Sequence, residues 1–198
     1  GTAARIAEDG EILLKGPQVF PGYWNNEKAS QEVLTDDGWF HSGDIGTIDE
    51  DGFVRITGRK KELIVTAGGK NVAPAVLEDR LRANSIVSQC LVVGDAKPFI
   101  ACLVTLDSES LPIWLENHGK PADMSLEDAV ADSDVVAEVQ SAVDEANKAV
   151  SKAESIRKFA ILPVEWSEEG GQLTPSMKLK RNVVMAEAAE DVEALYAK

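Results

Sequence analysis

The sequence predicts an α+β fold, in which helices pack on a small mixed sheet and short β-strands come before them. Residues 1–60 contain short apolar runs bounded by glycines and acidic turns, which is typical of strands. From residue 74 onward, stretches of helical periodicity alternate with strand-like runs. We therefore expect two pieces: residues 1–59 as an incomplete β unit, and residues 60–198 as a compact α+β domain.

The first piece shows its strands in two runs, GEILLKG at 10–16 and GFVRITG at 52–58. The stretch DEDG at 49–52 predicts a turn between them. A third strand is expected just beyond this piece, in ELIVTAGG at 62–69, ending at two glycines. Sixty residues of short strands bury little surface by themselves, so this piece is expected to need a neighbour.

The first helix of the second piece is expected to begin at Pro74, which suits a first helical turn, and to continue through AVLEDRLRAN. Strands are expected at Val87–Val93, at Phe99–Leu106 and in IRKFAILP, with a helical stretch from 108 to 152. A last helix is expected from 182 to 198. The apolar stripes of these two helical stretches are Val136, Val139, Val143, Ala146 and Val150, and then Val184, Ala188, Val192 and Leu195.

Charge and composition exclude several classes of function. The formal net charge is -14, which disfavours nucleic-acid binding because phosphate contacts need a positive field. No run approaches the roughly 20 apolar residues of a membrane span, and we expect no signal peptide. Cys90 and Cys102 lie in apolar runs, so we expect buried, reduced thiols and no metal site. These features predict a cytoplasmic protein and leave peripheral membrane contact open.

Basic residues cluster at 59–61 and at 178–181, and a local positive site on an acidic chain suits a small anion such as a nucleotide. Asp44, in GWFHSGDIG, is well made to accept hydrogen bonds from ribose hydroxyls; stabilising a turn is the alternative. Arg59, in TGRKKELIV, offers a planar fork to phosphate or ribose oxygens, or else protects a sheet edge.

Two further motifs have a functional and a structural interpretation. Gly68 and Gly69, in TAGGKNVAP, permit close approach of a ligand to the backbone, or form an ordinary hairpin turn. Lys178, in LTPSMKLKRN, carries the mobile point charge that a phosphoryl oxygen needs, or is a surface lysine beside a helix. His41 and His118 have no partners at the spacing of a catalytic triad.

The order of these motifs resembles one family throughout. The run GEILLKGPQVFPGYWNNEKAS, then DDGWFHSGDIGTIDEDGFVRITGRKKELIVTAGGKNVAP, then LTPSMKLKR resembles the adenylate-forming acyl-CoA synthetases. Within that superfamily, VVGDAKPFIACLVTLD and VSKAESIRKFAIL are similar to the long-chain fatty acid–CoA ligases. The resemblance implies that residues 60–198 are the mobile C-terminal domain, and that residues 1–59 are the last strands of a large N-terminal domain.

The reaction that the resemblance implies has two steps. A fatty acid carboxylate attacks the α-phosphate of ATP, giving acyl-AMP and pyrophosphate, and CoA then takes the acyl group. The implied partners are ATP or AMP, CoA, a long-chain fatty acid and the chain's own N-terminal domain. Mg²⁺ would accompany ATP, with its ligands outside this chain.

The resemblance also assigns roles to residues. Asp44 matches the residue that holds the ribose, and Arg59 an arginine that contacts ribose or phosphate. Lys61 matches the hinge between domains, and Gly68 and Gly69 match the loop that lines the pantetheine path. Lys178 matches the catalytic lysine of adenylation, with Arg181 following as in the family's GKxxR pattern. Met177 replaces the glycine of that pattern.

The family's phosphate loop and acyl tunnel lie upstream of the matched motifs, so we expect the 198 residues alone to be inactive in ATP–pyrophosphate exchange. Three alternatives stay open at this point. In the first, the intact protein is a fatty acyl-AMP ligase that loads a carrier protein. In the second, it is a medium-chain or aryl CoA ligase. In the third, the chain is a non-catalytic interaction module, as the acidic stretch at 108–150 would allow.

Overall fold

The computed structural model describes residues 1–197. The chain forms two compact units, Gly1–Leu63 and Ile64–Lys198, each with its own sheet. The division follows Leu63, four residues beyond the expected boundary at residue 59. That the first unit is the end of a larger domain stays a prediction.

The first unit is an antiparallel sheet of four strands in the order β1-β2-β3-β4, with one helix on the connection from β2 to β3. A single turn of 3₁₀-helix, Lys60–Glu62, follows β4. The elements are β1 Ala3–Ile6, β2 Glu11–Lys15, α1 Glu27–Val33, β3 Phe40–Ile48 and β4 Val54–Arg59.

The strands predicted at 10–16 and 52–58 are confirmed as β2 and β4, whereas β1, α1 and β3 were not predicted. The turn predicted at 49–52 is present, but it does not join the two predicted strands β2 and β4. It joins β3 to β4, since β3 lies between the two predicted strands in sequence and in the sheet. Gly43 and Gly46 interrupt the apolar alternation of β3, which conceals it in the sequence. A Cβ at Gly46 would clash with the Arg55 carbonyl oxygen, so only glycine fits there.

The second unit has a three-stranded mixed sheet in the order β7-β8-β9, with β7 and β8 antiparallel and β8 and β9 parallel. The predicted small mixed sheet is therefore confirmed. Its elements are β5 Ile64–Val65, β6 Asn71–Val72, α2 Pro74–Leu81, β7 Val87–Val93, β8 Ile100–Leu106, α3 Ser110–Asn117, α4 Leu126–Ala129, α5 Ser133–Asn147, β9 Ile156–Leu162, α6 Arg181–Glu187 and α7 Ala189–Tyr196.

Helices cover both faces of this sheet, which makes β8 buried along its whole length. Cys102 and Val104 face the core formed with α2, α3 and α5. Ala101 and Leu103, alternating with them, face the core formed with α6 and α7. A strand buried on both faces reads as a continuous apolar run, as β8 does in the sequence.

Three helical or strand predictions were wrong in extent. The stretch 108–152 contains three helices, because Gly119 takes a left-handed φ of 71° and Asp132 caps a new helix through the N–H groups of Asp134 and Val135. The last helix is two helices, which meet at Ala188. The third strand is reduced to β5, Ile64–Val65.

The predicted stripe of α5 is right at three positions and wrong at two. Val139, Val143 and Ala146 are buried, but Val136 is only half-buried and Val150 lies beyond the helix. The other buried positions are Val135 and Ala142. The stripe predicted for the C-terminal helix is confirmed, since Val184, Ala188, Val192 and Leu195 are all buried.

Candidate functional site

Asp44 and Arg59 are brought together by strand pairing in the first unit. They are register partners on β3 and β4, and Arg59 Nε lies 2.9 Å from Asp44 Oδ1. The Asp44 side chain is 24% exposed and that of Arg59 61%, so both remain open to a ligand. A carboxylate that accepts from hydroxyls, beside a guanidinium that donates, is a suitable pair for a ribose or a phosphate ester.

A second, buried carboxylate lies next to this pair and was missed by the sequence analysis. Glu11, in β2, accepts hydrogen bonds from the Gly43 N–H at 2.9 Å and from Lys60 Nζ at 2.9 Å, and His41 Nδ1 lies 2.8 Å away. Burial raises the pKa of Glu11, but the bonds from His41, Lys60 and Gly43 outweigh it, and the net pKa is lowered. Glu11 is therefore charged at neutral pH.

The glycines at 68 and 69 form the turn between β5 and β6. Gly69 has a φ of 76°, and its N–H donates to the Thr66 carbonyl oxygen at 2.8 Å. Gly68 takes no left-handed φ, and the nearest atom to a Cβ built on it is Thr66 Oγ1 at 3.9 Å. The turn geometry therefore needs a glycine at 69, whereas at 68 the space is left open.

This glycine turn is held to the rest of the second unit on two sides. The Ala67 N–H donates to the Lys97 carbonyl oxygen at 2.9 Å, in the hairpin between β7 and β8. Lys70 Nζ lies 2.8 Å from Glu154 Oε1, which follows α5. Burial raises the pKa of Glu154, but the bonds from Lys70 and Ser151 lower it overall, so the ion pair persists at neutral pH.

Lys178 lies at the exposed end of a small hairpin. The Met177 N–H donates to the Thr174 carbonyl oxygen at 2.8 Å, and the Thr174 N–H donates to the Lys178 carbonyl oxygen at 2.9 Å. Met177 has a φ of 61°, the left-handed conformation that glycine adopts without strain. Met177, which replaces the glycine of the family pattern, therefore adopts a backbone conformation that favours glycine.

Arg181 ties the base of this hairpin to the sheet. Its Nη1 donates to Glu78 Oε1 at 2.6 Å and its Nη2 to the Val92 carbonyl oxygen at 2.7 Å. Glu78 Oε1 also accepts from the Val92 N–H at 2.8 Å. Glu78 was missed by the sequence analysis, although the signal was present: it is an acid on the buried face of α2, beside Leu77 and Leu81.

The remaining predicted site residue, Lys61, is exposed in the 3₁₀ turn that follows β4. Asp44, Arg59 and Lys61 belong to the first unit, and Gly68, Gly69 and Lys178 belong to the second. Within the second unit, the glycine turn and the lysine hairpin are separate loops. Both are anchored near the end of the β7–β8 hairpin, one through Lys97 and the other through Val92.

Comparison with known proteins decides the family. The family model described as the AMP-binding enzyme C-terminal domain matches residues 61–198. The chain belongs to the AMP-binding enzyme family. The match covers the whole second unit together with the last residues of the first.

Curated relatives extend the likeness to the full chain. It is 59% identical over 198 residues to the long-chain-fatty-acid–CoA ligase FadD15 of Mycobacterium tuberculosis, covering 100% of this chain and 33% of that protein. It is 41% identical over 209 residues to the long-chain-fatty-acid–CoA ligase ACSBG2 of Gallus gallus, covering 95% of this chain and 27% of the relative. The chain thus spans about a third of the length of the curated relatives it matches.

Solved structures of AMP-binding enzymes share the fold. The adenylation domain of a carboxylate reductase from Mycobacterium chelonae superposes with a TM-score of 0.76 at 21% identity, over 100% of this chain and 31% of that one. O-succinylbenzoate coenzyme A synthetase from Bacillus subtilis, solved in complex with AMP, gives a TM-score of 0.61 at 26% identity, over 91% of this chain and 33% of that one.

Two further findings concern the part of the chain that the structure describes. No helix within residues 1–197 has the length and apolar character needed to cross a bilayer. Nor do any three His, Cys, Asp or Glu side chains in those residues come together as a group able to hold a metal ion.

Proposed function

We propose that this chain is the C-terminal part of a long-chain fatty acid–CoA ligase, an acid–thiol ligase that activates a fatty acid with ATP and transfers the acyl group to CoA. The observation that carries the proposal is the 59% identity to a long-chain-fatty-acid–CoA ligase along all 198 residues. The geometry supports it, since Asp44 and Arg59 form a partly exposed carboxylate–guanidinium pair that a nucleotide ribose could contact.

In the first step, Asp44 accepts hydrogen bonds from the ribose hydroxyls and Arg59 donates to ribose or phosphate oxygens. The Lys178 ammonium, at the end of its flexible stem, neutralises the charge that develops when the fatty acid carboxylate attacks the α-phosphate and pyrophosphate leaves. We propose that residues elsewhere in the intact protein hold Mg²⁺ together with ATP.

In the second step, the CoA thiol attacks the acyl carbonyl and AMP leaves. The turn at Gly68 and Gly69 lets the pantetheine chain lie close to the backbone, because neither residue carries a side chain. We propose that rotation about Lys61 presents the lysine hairpin for the first step and the glycine turn for the second. The start of the family match at residue 61 supports this position for the hinge.

The test separates the two half-reactions in the intact protein. Lys178→Ala should lower ATP–pyrophosphate exchange by roughly 100-fold, the typical loss of one transition-state charge contact, and leave thioesterification of supplied acyl-AMP nearly unchanged. Lys152→Ala, at an exposed lysine of the second unit outside both basic clusters, is the matched control and should leave both rates nearly unchanged. An equal loss in both half-reactions with Lys178→Ala would refute the role of this lysine.

Assays of the same intact protein also test which acyl acceptor and which acyl chain it uses. We expect CoA, and not a carrier protein, to accept the acyl group, and palmitate to be preferred over an aryl or medium-chain acid. The 198 residues alone should show no exchange, since the family's phosphate loop lies upstream of the matched motifs. ATP–pyrophosphate exchange by the 198 residues alone would contradict the proposal that adenylation needs the upstream phosphate loop.

A further inference from the structure

Glu11 is a buried charge, with only 3% of its surface exposed. Burying a carboxylate costs several kcal/mol unless hydrogen bonds replace the lost water. Glu11 meets this condition with donors from three places in the chain: His41 and Gly43 on β3, and Lys60 after β4. Lys60 Nζ is shared with Asp9 Oδ2 at 2.6 Å, which fixes the ammonium further.

Two of these donors are the chain neighbours of the candidate nucleotide pair. Gly43 immediately precedes Asp44, and Lys60 immediately follows Arg59. The Glu11 carboxylate thus holds the backbone next to Asp44 and the side chain next to Arg59. His41, the third donor, faces the same carboxylate from two residues before Gly43.

Asp44 and Arg59 are paired in register, but the pairing of β2 with β3 is irregular beside them. The register between β2 and β3 shifts between Glu11 and Leu13, and that between β3 and β4 shifts between Ile45 and Gly46. Gly43 has a φ of 73°, which turns the chain just before Asp44. The bond from the Gly43 N–H to Glu11 Oε1 supplies a constraint that regular pairing of β2 with β3 would otherwise supply.

We propose that Glu11 is a positioning residue for nucleotide binding, which holds Gly43 and Lys60 so that Asp44 and Arg59 address one ribose together. This inference rests on the proposed function only in taking Asp44 and Arg59 as the nucleotide contacts. In this proposal Glu11 does not touch the nucleotide, and it acts through the two segments that it joins.

The experiment measures AMP binding to the intact protein by calorimetry, which needs no turnover. Glu11→Gln keeps the size of the side chain but removes its charge, and should raise the Kd for AMP by roughly tenfold. Asp44→Asn is the positive control and should weaken AMP binding at least as much. In steady-state assays, Glu11→Gln should raise the KM for ATP and leave the KM for the fatty acid unchanged.

Asp49→Ala is the matched structural control in the same unit. The Asp49 carboxylate accepts from the Phe53 N–H at 2.8 Å in the β3–β4 turn, and has no part in the Glu11 contacts. This variant should lower the melting temperature without changing the Kd for AMP. A similar loss of AMP affinity in both variants would mean that Glu11 acts only through general stability.

The remaining outcomes are distinct. An unchanged Kd in folded Glu11→Gln, with a raised Kd in Asp44→Asn, would overturn the inference. If Glu11→Gln does not fold, Lys60→Met decides in its place: a Kd raised about threefold supports the inference and an unchanged Kd overturns it. An intact protein that binds AMP but shows no fatty-acid-dependent exchange would refute the proposed function and leave the Glu11 result standing.

Discussion

At the scale of single residues, the two adjacent glycines of the second unit have different tasks. Gly69 needs its left-handed φ of 76° for the turn, so Gly69→Ala should destabilise the 198-residue chain by about 1 kcal/mol. Gly68 has neither that φ nor a close neighbour, so Gly68→Ala should leave stability unchanged within about 0.5 kcal/mol. Thermal denaturation of the two variants measures the difference.

The same substitution tests the pantetheine path in the intact protein. An added methyl group at Gly68 should lower thioesterification several-fold, because it fills space that a ligand would use, and should leave ATP–pyrophosphate exchange unchanged. If Gly68→Ala catalyses thioesterification at the wild-type rate, Gly68 does not line the pantetheine path. An equal fall in both half-reactions would instead indicate a disturbed fold.

Residue types together with the family resemblance predicted the candidate contacts, but not the arrangement that holds them. Asp44 and Arg59 were chosen from their chemistry, and the register that pairs them appears only once β3 is placed. Glu11 gave no signal, because an acid after a glycine turn usually faces solvent. Its donors come from residues 30 to 49 positions away, a distance over which sequence pattern carries no information.

At the scale of elements, the ion pair of Glu78 and Arg181 joins α2 to the start of α6. Arg181→Met would leave the buried Glu78 carboxylate without its cation, at a cost of about 3 kcal/mol, since a lone buried charge is poorly compensated. Urea denaturation of the 198-residue chain measures this. Arg80→Met, at an exposed position of α2, is the control and should cost no more than about 0.5 kcal/mol.

The double variant Glu78→Gln with Arg181→Met distinguishes a specific pair from two independent losses. It should recover part of the stability lost by Arg181→Met alone, because the buried position is then neutral. Additive losses would show that the two side chains stabilise the unit separately.

Helix boundaries were the least predictable elements, for a local reason. The sequence predicted one helical stretch over 108–152, whereas α3 ends just before Gly119 and α5 begins at the Asp132 cap. Such caps are short-range hydrogen bonds that a periodicity does not register. The positions that face the C-terminal core were predictable, because Val184, Ala188, Val192 and Leu195 point one way across the break at Ala188.

At the scale of the whole molecule, the two units differ in how much core they have. Among the described residues, the buried apolar side chains of the first unit are Ile12 and Leu13, and Trp24 and Phe53 are 93% and 72% exposed. Both large hydrophobic clusters lie in the second unit. The sequence anticipated this contrast from the shortness of the first strands, because buried area grows with chain length.

Limited proteolysis should therefore separate the units in a fixed order. Trypsin is expected to cut the 198-residue chain at Lys60 or Lys61, in the exposed turn after β4, and to leave a resistant fragment that begins at residue 61 or 62. The first unit should be degraded sooner, because its small core opens at a lower free energy. Mass spectrometry over time identifies the fragment, and digestion in urea is the control for general cleavage. Degradation of both units at the same rate would show that the second unit does not hold its structure independently of the first.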